Sequence, residues 1–169
     1  MNEASASQVI ASIQADNKFP TNAPIWLLIN SGGGSIIAGD RIVDAMQSSR
    51  RPIYTVDVSF SASMAAWIWT FGEKRYMQPR AILMFHDAEL SNDGNIQHLT
   101  QEVRVFNAVV TAYNSRIAML SGLGIEEIQR REAAEWWLLP QEAIDAHLAT
   151  DVVHLSDYPQ QIQRGNGNG

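Results

Sequence analysis

The segment "INSGGGSIIAG" (29–39) sets three consecutive glycines between an apolar run and a stretch of helical spacing. A backbone that bare can cradle a phosphate, make a tight turn, or hold N–H groups against a charge that exists only during a reaction. The phosphate reading meets mismatches. Gly34 and Gly39 have P-loop spacing, but Asp40 and Arg41 follow where Lys and Ser/Thr belong. A dinucleotide fingerprint starts at Gly32 and Gly34 and breaks at Ile37. A second segment, "SFSASMAAW" (59–67), gathers small residues where a strand gives way to a helix. Small neighbours let a hydroxyl stand exposed at a tight corner with N–H groups nearby. A serine there is an ordinary N-cap unless a base reaches it. His86 supplies a base at the end of the apolar run "AILMFH" (81–86).

These residues converge only if the elements carrying them share one sheet edge. "IWLLIN" (25–30) is a short continuous apolar run that predicts a strand buried on both faces. "IYTVDV" (53–58) and "AILMFH" predict two more strands, and "TDVVHL" (150–155) a last one. Between them, Ile36, Ile37, Asp40, Val43 and Met46 step at helical spacing, and "SASMAAWIWTFG" reads as a helix closing on Gly72. Residues 5–16 read as a first helix, capped by Ser5 or Ser7. A long helix over 95–121 keeps one face apolar from Ile96 to Leu120; a shorter helix follows, and Pro140 opens another. Alternating β and α units predict right-handed crossovers and a largely parallel sheet, with the glycine corner, the serine and His86 at its C-terminal edge.

The chain has 169 residues, 46% of them apolar, which suits one domain with a real core. Residues 1–157 read as that domain and the polar, glycine-rich 158–169 as a flexible tail. A formal charge of −6 argues against nucleic acid or an anionic membrane as the main partner. No cysteine is present, so there is no disulfide, thiolate metal site or cysteine nucleophile. This composition fits the cytoplasm, and no basic-then-apolar leader is visible at the N-terminus.

The segments "INSGGGSIIAG", "SASMAAW", "GEKRYMQPRAILMFH" and "PQEAIDAHLATDVV" resemble, in order and spacing, the ClpP family, the proteolytic subunits of the caseinolytic protease. The resemblance covers roughly residues 5–155. It implies a ClpP/crotonase-type α/β fold with a long handle helix, and a serine endopeptidase with neither metal nor cofactor. By its motifs the nucleophile is Ser63, the base His86, and the oxyanion N–H donors Gly33 and Met64. Glu135 falls where the family carries its catalytic aspartate, making a Ser-His-Glu triad. Glu132 is the other nearby acid, while Asp87 points away from His86 by strand alternation.

Departures from the family pattern bear on substrate and assembly. Gly32 stands for a proline, "HDAELSNDG" (86–94) for a glycine-rich peptide-pairing strand, and Ala134 for an arginine that helps dock two rings. The resemblance implies peptide substrates and a homo-oligomer, a heptameric ring, with stacking to a tetradecamer weakened at Ala134. A mixed ring with another ClpP subunit is the other assembly it allows. No residues before Met1 correspond to the family's axial loop and first strand, so an unfoldase ATPase is not expected to dock. Two other readings fit the same motifs: a catalytically weak or inactive structural subunit, and a phage-type head-maturation protease. Trp67, Trp69, Trp136 and Trp137 are expected in the core or at subunit contacts.

Overall fold

The computed structural model describes residues 1–87, 96–154 and 156. Helix α1 (Glu3–Asp16) starts two residues earlier than expected, because Asn2 rather than a serine caps it. Asn2 Oδ1 accepts from the Ser5 N–H and Ser5 Oγ accepts from the Asn2 N–H, both at 3.0 Å. Strand β1 (Ile25–Ser31) follows, then α2 (Ile36–Gln47), where Ser35 Oγ accepts from the Ala38 N–H at 3.2 Å. Strand β2 (Ile53–Ala62) runs four residues past the expected end and hands directly to α3 (Met64–Thr70). Then come β3 (Lys74–Met77), β4 (Ile82–Phe85), α4 (Ile96–Ser121), α5 (Ile125–Ala133), β5 (Trp136–Leu138), α6 (Pro140–Asp145) and β6 (Asp151–Val152).

Among the described residues the six strands form one sheet in which β2 is the organising strand. Its first half pairs in parallel with β1 and β3, and its last three residues pair in parallel with β4. Strand β6 continues the parallel pattern beside β3, whereas β5 lies antiparallel on β4. The largely parallel sheet is therefore as expected; β3 and β5 are additions. Helices α2 and α3 bury Ile42, Val43, Met46, Trp67, Ile68 and Trp69 against one face. The opposite face of β1 is less buried than its apolar run predicts. There Trp26 stacks on Tyr76 at 5.5 Å and meets Tyr54 edge-on at 5.4 Å, leaving these residues half-buried. The predicted tail lies outside the described residues, as does most of "HDAELSNDG".

A buried polar cluster ties three helices together behind α3. Glu132, only 1% exposed, accepts from Asn114 Nδ2 of α4 at 2.7 Å and from the Trp67 indole of α3 at 3.4 Å. Burial pushes its carboxyl up to about 7, outweighing the two donors that favour the charged form. Asp57, buried within β2, is pushed up to about 7 for the same reason. For both groups the folded pKa is raised, so from about pH 4.5 to 7 the folded chain holds protons that the unfolded chain releases. Stability therefore falls as pH rises through that window. Glu132→Gln removes one of these ionisations, and its amide also offers an N–H to the unpartnered Asn114 Oδ1. It is expected to raise Tm at pH 8 by ~2–6 °C and to change Tm little at pH 4.5. Thermal melts at the two pH values check this; equal shifts at both would refute it.

Candidate active site

Ser63 sits between β2 and α3 with φ 56° and ψ −129°, a conformation that non-glycine residues rarely adopt. The main chain reverses there within one residue because α3 is buried along its whole length and must lie back on the sheet. The corner is tied to the neighbouring strand, since the Ser63 N–H donates to the Met84 carbonyl at 2.9 Å. Its side chain makes no capping bond to α3, which leaves the hydroxyl available. An N-cap serine would instead spend that oxygen on the helix. The strain and the uncapped hydroxyl together fit a nucleophile elbow.

The glycine corner after β1 packs directly onto this turn. A Cβ built on Gly33 would lie 2.7 Å from both Ser63 Cβ and the Ala62 carbonyl oxygen, and 3.0 Å from the Met64 nitrogen. Gly33 also has φ +94°, so both space and backbone require glycine. Met64 is the first residue of α3, and its N–H has no carbonyl within the helix to bond. The missing side chain at 33 keeps the space before that N–H open. In this conformation the Gly33 N–H donates to Ser31 Oγ at 3.2 Å. Gly39 serves packing: the Met64 side chain fills the position of its missing Cβ. The spacing that suggested a P-loop thus has a structural explanation within α2. A methyl at 33 would strain the corner and intrude on the Met64 N–H, so Gly33→Ala is expected to lower peptide turnover by about 10²-fold. Steady-state assays alongside a melting curve test this; near-normal turnover would mean this corner holds no reacting atom.

His86 follows β4 directly and is half-buried. The register Ala62↔Met84 brings the end of β2 beside the strand that carries it. Strand β5 follows directly on the candidate acid, Glu135. Its antiparallel register runs Leu83↔Leu138, Met84↔Trp137, Phe85↔Trp136, so Glu135, just before β5, and His86, just after β4, leave the pair at the same end. Glu135 is the residue after the α5 C-cap, with φ 56°. Glutamate is poorly suited to that left-handed conformation, which aspartate and asparagine tolerate better. Three non-glycine residues have positive φ in the described chain: Ser63, Glu135 and His147, the last at the end of α6. Two of the three are candidate catalytic groups. The Glu135 carboxylate is exposed and its Oε2 accepts from the Trp137 indole at 3.1 Å. Glu132 turns inward to Trp67 and Asn114, and Asp87 is exposed beside His86.

Comparison with known proteins places the chain in a family. A family model described as Clp protease matches residues 1–156. The chain belongs to the Clp protease family.

Relatives in the family share about 30% identity with it. The ATP-dependent Clp protease proteolytic subunit 1 of Frankia casuarinae is 30% identical over 150 residues, covering 88% of this chain and 70% of the relative. Subunit 2 of Bifidobacterium longum is 31% identical over 147 residues, covering 83% and 69%. Subunit 2 of Prochlorococcus marinus is 29% identical over 151 residues, covering 88% and 76%. As in the sequence reading, this Clp protease brings the glycine corner, Ser63 and His86 to one sheet edge. Among the described residues no group of three or more histidine, aspartate or glutamate side chains is placed to hold a metal ion. No described helix is long and apolar enough to cross a membrane. Sequence reading missed β5, although the aromatic run "EWWLL" carried its β-propensity, and with it the side of the sheet on which Trp137 lies.

Proposed function

We propose that this chain is a cytoplasmic serine endopeptidase of the Clp type that cleaves peptides by acyl transfer inside an oligomeric ring. Ser63 Oγ attacks the scissile carbonyl while His86 takes its proton. The tetrahedral oxygen lies against the Met64 N–H and the Gly33 N–H, which leaves Ser31 Oγ to accept it. His86 then protonates the departing amine, and water resolves the acyl-enzyme by the reverse proton path. Glu135 orients the imidazole and balances its charge once protonated. The observation that carries this reading is the uncapped Ser63 hydroxyl on a strained corner, with Gly33 and Met64 packed against it. A second reading, a non-catalytic ring subunit, draws on one contact: the Gly33 N–H is already engaged by Ser31 Oγ. Labelling the purified protein with a fluorophosphonate separates the two. Modification confined to Ser63 is expected; a chain left unlabelled under conditions that label a working serine peptidase would favour the structural subunit.

A further inference from the structure

The acid in this site is longer than the family's usual aspartate, and something must decide where its carboxylate rests. Trp137 lies two residues beyond Glu135 in β5 and opposite Met84 of β4. Its indole N–H donates to Glu135 Oε2 at 3.1 Å. Although Trp137 is 50% exposed, the ring is stacked on Phe60 of β2, with centroids 6.2 Å apart and planes 17° from parallel. Phe60 in turn faces the glycine corner, its Cε1 lying 3.9 Å from where a Gly32 Cβ would be. Aromatic contacts therefore run from the glycine corner through Phe60 to Trp137 and the acid. A carboxylate accepts through both oxygens, so holding Oε2 leaves Oε1 for the imidazole N–H of His86 across the β4–β5 register.

We propose that Trp137 is a positioning residue for the reaction: its indole N–H holds the Glu135 carboxylate so that the longer acid serves His86. This role rests on the peptidase reading above. A glutamate side chain has one more rotatable bond than aspartate, and an anchored donor limits the freedom that bond adds. Because the contact acts through Glu135 and not through substrate, its loss falls on kcat rather than on KM.

The test is a double-mutant cycle on the purified full chain with a fluorogenic peptide. Trp137→Phe keeps an aromatic ring against Phe60 and removes only the donor. It is expected to lower kcat about 3–10-fold with KM changed less than about twofold, the loss of one hydrogen bond to a charged, partly exposed acceptor. In a Glu135→Gln background the same change is expected to cost less than about twofold, because there is no carboxylate left to position. Trp137→Leu, which removes the donor with a different shape, should show the same coupling to Glu135. An unchanged kcat in Trp137→Phe, or a full multiplicative loss on top of Glu135→Gln, would overturn the proposal. Fluorophosphonate labelling of the wild type tells the two levels apart. An unlabelled wild type overturns the peptidase reading and this role with it; a labelled one with an indifferent Trp137→Phe overturns the role of Trp137 alone.

Discussion

Ser63→Ala is expected to abolish hydrolysis of small fluorogenic peptides while the protein still folds. Alanine has no hydroxyl to attack a carbonyl, and the oxyanion donors alone leave only a small residue of catalysis. The substitution exchanges a hydroxyl for a hydrogen at a half-buried position, so the packing of α3 is kept. Alanine inherits the same positive φ as serine, and the strain is carried by both proteins. A melting curve close to wild type beside a turnover at background is the predicted pair of results. Retained turnover in the purified variant would remove Ser63 from the mechanism and leave the strained corner without a catalytic explanation.

Glu135→Gln should be the next most damaging change, slowing kcat by about 10²–10⁴-fold, since the isostere keeps the shape and removes the charge that orients and balances the histidine. Glu132→Gln supplies the control one helical turn earlier. Its carboxyl is buried against Trp67 and Asn114, so it is expected to alter stability and leave kcat within about twofold. Glu135→Asp is expected to keep activity or raise it, because aspartate accepts the left-handed backbone at this position more readily. The kinetics of the three variants decide between the two acids. A harmless Gln at 135 together with a crippling Gln at 132 would move the acid one turn back along α5.

The amino-acid sequence by itself determined the order of apolar runs and helical stretches. It also set the three glycines after the first run, the small residues around Ser63 and the position of His86 at a strand end. Those features are local: side-chain period, turn chemistry and β-propensity act within a few residues. They were enough to place Ser63 and His86 on one edge of a mostly parallel sheet, as β2 and β4 show. Only the tertiary structure decided the rest. Strands β3 and β5 have four and three residues, too few for alternation to mark, and exist because neighbouring strands accept their hydrogen bonds. Glu132 and Glu135 look alike in the chain, three residues apart on one helix end. Glu132 follows Ile128 by four residues and turns inward to donors on α3 and α4, while Glu135 leaves the helix at a positive φ just before β5, the strand that pairs with β4. Residues distant in sequence supply those surroundings, and a single carboxylate has no intrinsic preference between a buried pair of donors and an exposed strand end until packing brings them near.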